Sequence, residues 1–110
     1  MIFSFPKAVR LRSRRDYKRM AKHFSRHEGN FLIIDEKISR LPEIRLGITV
    51  TKRFGDAHHR NRLKRIVREA FRLCYADLRK GIDINVRPLV KARLATVLEI
   101  QSELKKFFGS

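Results

Sequence analysis

The stretch Arg60-Asn61-Arg62-Leu63-Lys64-Arg65-Ile66-Val67-Arg68-Glu69-Ala70-Phe71-Arg72 decides how this chain is read. At about 100° per residue, Leu63, Ile66, Val67, Ala70, Phe71 and Cys74 fall in one apolar arc of roughly 140°. Asn61, Lys64, Arg65, Arg68 and Arg72 fall on the opposite side, with Arg60 and Arg62 at its edges. The spacing predicts a basic helix over 60–76 that lays one face on a core. No core requires so many guanidinium groups on one surface, whereas a polyanion does. Arginine suits planar, bidentate contact with phosphate and stacking on bases. The helix N-terminus is expected to add free N–H groups and the positive end of the dipole.

The rest of the composition points the same way. Lys and Arg total 27 against 11 acidic residues, a formal charge of +16 on 110 residues. Self-repulsion at that charge opposes compaction, so the charge is there for a partner. Nucleic acid offers phosphates at high linear density and releases counterions on binding. A membrane-surface protein usually carries Trp, Phe or Leu on one amphipathic helix. This chain has no Trp, and its apolar residues are spread over several periodic segments. No apolar run approaches 18 residues, so no membrane span is expected. The only cysteine, Cys74, has no intrachain partner and lies on the apolar arc, as a small core residue would. A reducing, cytoplasmic setting fits.

Outward from the basic helix, the pattern is one domain over 1–110. Met1 to Arg15 holds no acid and no secretory apolar core, and Phe5-Pro6-Lys7 reads as an extended segment of the mature chain over 1–13. Ser13-x-x-Asp16 opens a helix, and Tyr17, Met20, Ala21 and Phe24 recur at helical spacing to about Ser25. Phe31 to Asp35 reads as a strand. Leu46, Ile48 and Val50 alternate with polar residues as a second strand, and Ile82, Ile84 and Val86 as a third, ended by Pro88. Thr96-x-x-Glu99 caps a C-terminal helix over 96–108. An α+β or α/β sandwich of helices on a small sheet follows; pattern alone leaves the strand directions open.

Side-chain chemistry offers no self-sufficient active site. His23 and His27 stand four apart, which on a helix places two imidazoles on one face, but no third ligand accompanies them. His58 and His59 are candidates for acid–base work with nothing in the sequence to orient them. Asp16, Asp35, Asp56 and Asp83 form no metal-cluster pattern. Tyr17, Phe24 and Phe31 are core candidates by spacing and, beside a basic groove, candidate platforms for single-stranded bases.

At this point the residues resemble a known family. Arg45-Leu46-Gly47-Ile48-Thr49-Val50-Thr51-Lys52-Arg53, a short loop, then Ala57 to Arg72 with Arg60-Asn61-Arg62 inside it, is similar to the protein subunit of bacterial ribonuclease P. Phe5-Pro6-Lys7, Arg10-Leu11 and Asp16-Tyr17 sit where that family has matching positions, so the resemblance covers nearly the whole chain. It implies an α+β fold of order αβββαβα, a two-layer sandwich with a small mixed sheet and a left-handed βαβ crossover, an exception to the usual rule. A short extra strand near 25–30 or at the first hairpin then has to be added to the three that the pattern gives.

The resemblance also implies a function. The protein would be the RNA-binding subunit of a ribonucleoprotein that removes the 5′ leader of precursor tRNA, while the RNA subunit carries out the hydrolysis. Mg²⁺ would be bound mainly by that RNA, and the protein would raise substrate and metal affinity without being catalytic alone. Arg60, Asn61, Arg62, Lys64, Arg65 and Arg68, with Lys52 and Arg53, would contact RNA. Tyr17, Phe24 and Phe31 would line a leader cleft. The family's second aromatic position is Ala21 in this chain, so either Phe24 supplies the ring or leader stacking is weaker. Neither DNA nor a membrane is an expected partner. The competing classes are a structural RNA-binding protein and a protein-only nuclease built on histidines.

Overall fold

The computed structural model describes residues 9–11, 13–22 and 24–110. The elements run α1 (Arg14–Met20), β1 (Ser25–Glu28), β2 (Leu32–Ile38), β3 (Ile44–Ile48), α2 (Ala57–Cys74), β4 (Ile82–Pro88) and α3 (Val97–Phe108). This is the αβββαβα order. The strand that the sequence pattern left out is β1, whose four residues, Ser-Arg-His-Glu, show no apolar alternation.

The sheet order is β1-β2-β4-β3. β1 and β2 pair antiparallel, as do β2 and β4, while β3 lies parallel to β4. The mixed sheet follows from the chain path, because parallel neighbours need a long crossover, which α2 supplies. Most of the expected N-terminal segment lies outside the described residues. Its end, Val9 to Leu11, runs beside the free edge of β3: Arg10 bridges Leu46 in parallel, and Leu11 N donates to Leu46 O at 2.9 Å.

The period-2 strands sort their side chains cleanly. Leu32 and Ile34, Ile44 and Leu46, and Ile82, Ile84 and Val86 pack with Leu63, Val67, Ala70, Phe71 and Cys74 of α2 and Ile100, Leu104 and Phe108 of α3. The apolar arc read from the sequence is thus the buried face of α2. The second face of the sheet is polar. Asp35, Asp83 and Asn85 are buried there, and Arg45 donates twice to Asp83, at 2.8 and 2.7 Å. Asp16 of α1 stands 3.6 Å from Arg45 on this side, which places α1 over one part of the second face. Gly47 lets Leu11 cross it, since a Cβ there would stand 2.9 Å from Leu11 Cδ1.

Several element boundaries differ from expectation. β2 runs on to Ile38 rather than ending at Asp35, and β3 ends at Ile48, which leaves Val50 outside it. α1 ends at Met20, not Ser25, because the chain must turn to start β1; Lys37 Nζ donates to the terminal carbonyl of Arg19 at 2.7 Å. Phe24 therefore lies outside the helix, and His27 is a strand residue, so it belongs to no helical i, i+4 pair. His23 lies outside the described residues. α2 begins at Ala57 with Asp56 as N-cap and ends at Cys74, followed by a 3₁₀ turn at Tyr75–Asp77. The capping boxes at Ser13/Asp16 and Thr96/Glu99 are both formed, as the sequence indicated.

Candidate nucleic-acid interface

The polar face of α2 divides into cations that are tied to the protein and cations that are not. Arg60 and Arg62, at the edges of the apolar arc, are half-buried. Arg60 Nη1 donates to Gly55 O at 2.8 Å. Arg62 donates to Arg93 O at 2.9 Å and Ala95 O at 3.4 Å. Arg72 pairs with Glu69 one turn earlier and holds that carboxyl below its usual range, chiefly through the hydrogen bond. Lys64, Arg65 and Arg68 make no hydrogen bond or ion pair to any described residue, and Arg65, Arg68 and Asn61 are exposed. Lys52 and Arg53 lie on the 3₁₀ turn Lys52–Phe54 just before α2, both exposed and likewise without described partners.

The free N–H groups expected at the helix N-terminus are partly taken. Asp56 Oδ1 accepts from His59 N at 3.0 Å and lies 2.8 Å from His59 Nδ1. These contacts, led by the backbone hydrogen bond, hold the Asp56 carboxyl below its usual range. A carboxylate of the chain's own thus occupies the positive end of α2. It also orients His59, whose ring stands 5.8 Å from that of His58. Both histidines remain on the surface, and the contact is accounted for by capping.

Two clefts adjoin the end of β3. Ile48 lines the first and Thr49, the next residue, the second. The first, about 350 Å³, is bounded by Arg10, Leu11, Tyr17, Leu46, Lys64 and Arg68 as well as Ile48. It joins Tyr17 to two of the cations read from the helix. The second, about 430 Å³, has Arg26, Arg53 and Arg87 around a floor of Ile33, Pro88, Leu89 and Val90. Phe24 lies beside this cleft, its ring centroid 5.2 Å below the Arg26 guanidinium carbon.

Phe31 belongs to neither cleft. It packs against the main core, and its N–H donates to both carboxylate oxygens of buried Glu103, each at 3.1 Å. This contact ties the β1–β2 turn to α3. Gly29 is part of it, since a Cβ there would stand 2.0 Å from Glu103 Oε1. Phe31 also lines a third hollow, with Glu99, Ser102 and Lys106 of α3.

Comparison with known proteins places the chain in a family. The Ribonuclease P family profile matches residues 5–110. The chain belongs to the ribonuclease P protein family. A ribonuclease P protein component from Desulforapulum autotrophicum is 36% identical over 106 residues, covering 96% of this chain and 91% of the relative. One from Thermotoga petrophila is 41% identical over 91 residues, covering 83% and 78%. The solved RNase P protein from Thermotoga maritima superposes with a TM-score of 0.81 at 32% identity, over 90% of this chain and 94% of that one. In this ribonuclease P protein, sequence reading found the cations of α2 and of the turn before it. It missed Arg26, Arg87 and Asp35. Their grouping depends on strand order, and the only available signal was Arg87 on the polar side of an alternating strand.

Proposed function

We propose that this chain is the RNA-binding protein subunit of a ribonuclease P ribonucleoprotein that removes the 5′ leader from precursor tRNA, the hydrolysis being carried out by the RNA subunit. The observation that carries the reading is the set of cations Lys52, Arg53, Lys64, Arg65 and Arg68 on α2 and its approach, none with a partner among the described residues, in a chain of this family. Each can replace a counterion on a phosphate without breaking a bond to any described residue.

Division of labour between the surfaces follows their shapes. The exposed row on α2, convex and rich in Arg, suits the backbone of a structured RNA, with Asn61 in reach of the same surface. Arg60 and Arg62 hold the N-terminal part of α2 in place and keep further guanidinium donors for RNA. The clefts suit a flexible single strand. Tyr17 offers a ring next to Lys64 and Arg68, while the Arg53 cleft combines cations with an apolar floor on which bases can rest. Phe24 acts there by supporting Arg26, and Phe31 acts as a structural anchor.

Mg²⁺ would supply the Lewis acid and activated water for the hydrolysis. The described residues contain no group of three or more His, Cys, Asp or Glu able to share an ion. The donor set among those residues does not fit a metal cage, and no step is assigned to a metal on the protein. The working compartment would be the cytoplasm, where precursor tRNA and the RNA subunit meet. Among the described residues no helix is long and apolar enough to cross a membrane.

The test is cleavage of a precursor tRNA at low Mg²⁺ by ribonuclease P RNA, with and without this protein, alongside the protein alone. Rescue only when both are present supports the subunit reading. Cleavage by protein alone would move the chemistry onto side chains such as His59. RNA binding without rescue would leave a structural RNA-binding protein.

A further inference from the structure

Asp35 sits in the middle of β2 on the polar face of the sheet and is 6% exposed. Its two carboxylate oxygens are used separately. Oδ1 accepts from Arg26 Nε at 2.9 Å, and Oδ2 accepts from Arg87 Nη2 at 3.0 Å. Arg26 comes from β1 and Arg87 from β4, the two neighbours of β2, so the carboxylate bridges three strands. The register makes this possible: Arg26 is directly opposite Asp35 on one side, and Arg87 pairs with Ile33 on the other, one diagonal step away. Both arginines then border the same cleft as Arg53. Arg26 is steadied a second time by the Phe24 ring, and Arg87 Nε is buried without a hydrogen-bond partner among the described residues. Asp35 is thus the acid that balances this pair.

We propose that Asp35 is a positioning residue that holds Arg26 and Arg87 as a preformed clamp for the phosphodiester backbone of the single-stranded leader. The proposal rests on the leader-binding reading above and adds which residues fix the geometry of the second cleft. Two arginines facing one cleft repel each other and sample many rotamers; a shared carboxylate removes both costs before RNA arrives. Fixing Arg26 through Nε leaves its terminal nitrogens for phosphate, and fixing Arg87 through Nη2 leaves Nη1. Arg53 supplies a third cation at the rim, with no partner among the described residues. The cleft stays net positive, by two charges on this count of Arg26, Arg53 and Arg87 against Asp35.

A charge-only account makes the opposite prediction. Asp35→Asn adds one positive charge to the cleft and on that account should tighten RNA binding. Positioning predicts a loss, confined to substrates that carry a leader. The experiment uses the reconstituted holoenzyme and compares its affinity for precursor tRNA with that for mature tRNA. It does so for wild type, Asp35→Asn, the Arg26→Ala/Arg87→Ala pair and the triple variant, with affinity for the RNA subunit measured throughout.

Asp35→Asn is expected to reduce the leader-dependent gain about tenfold, and to have no further effect once both arginines are gone, since a residue that acts through others is non-additive with them. An unchanged or larger gain in Asp35→Asn, or an additive loss in the triple variant, overturns the proposal. Should Asp35→Asn fail to fold, shown by lost affinity for the RNA subunit, the arginine pair decides: retention of the full leader effect without them overturns the clamp. A wild-type holoenzyme that does not distinguish precursor from mature tRNA removes the leader reading itself, a result distinct from any change among the variants.

Discussion

Arg62 donates from its guanidinium to the carbonyl oxygen of Arg93 at 2.9 Å. A residue of the Arg-Asn-Arg motif therefore clips the first half of α2 to the 3₁₀ helix at Val90–Leu94 that leads into α3. The motif is part recognition surface and part brace. Arg62→Ala should lower stability by about 0.5–1.5 kcal/mol, the net range for a typical hydrogen bond, since the contact with Arg93 O is exposed. Arg65→Ala, which breaks no bond within the described protein, should leave stability unchanged and weaken RNA binding. Urea unfolding of both variants beside RNA titrations checks the split. Equal stability losses in the two would mean that the brace carries no weight.

For Arg65 and Arg68 the expected signature is electrostatic. If each meets one phosphate, removing it should flatten the plot of log affinity against log salt by up to about 0.9 on a duplex RNA partner. Titrations at several salt concentrations give the slope directly. A variant with wild-type slope has no phosphate under that side chain.

Phe71 is fully buried where α2 meets the sheet and lies edge-on to Tyr75 at 5.6 Å between centroids. Truncation to Ala should cost about 3–5 kcal/mol through lost burial and the cavity left behind. Denaturant melts of the free protein measure this. Bound ribonuclease P RNA should raise the apparent stability of the variant, because ligand binding to the folded state adds to it by mass action.

Burial pushes the Cys74 thiol up to about 11, above its ordinary value. The folded state keeps the thiol proton at a pH where the unfolded chain has lost it, so this group destabilises the fold as pH rises. The effect is absent below the unfolded value near 9 and grows between about 9 and 11. Wild type should therefore lose stability over that window relative to Cys74→Ala. At pH 8, thiol reagents should modify Cys74 only as fast as the protein opens. Rapid labelling of the folded protein would contradict its placement.

Much of this was legible in the chain itself. The apolar arc of α2 coincides with its buried side, and the alternation of β3 and β4 assigns their faces, because helix and strand periods are local properties of the backbone. The capping boxes at Ser13 and Thr96 formed for the same reason: each needs only residues three apart. What failed was also local in origin. The helical spacing of Tyr17, Met20 and Phe24 suggested a longer α1, yet pairing Ser25 with Glu36 in the sheet was incompatible with it. Strand β1 carries no apolar alternation and exists because β2 offers it an edge.

The sequence by itself determined a strongly basic α+β protein with an arginine-rich helix, and carried the motif by which its family is recognised. Periodicity and charge need no knowledge of distant neighbours. Tertiary structure alone decided which cations are tied to other described residues and which are not, why Tyr17 and Arg53 lie in different clefts, and how Asp35 comes to join Arg26 to Arg87. Those relations link residues 9 and 52 positions apart, and only strand order and register bring them within hydrogen-bonding distance.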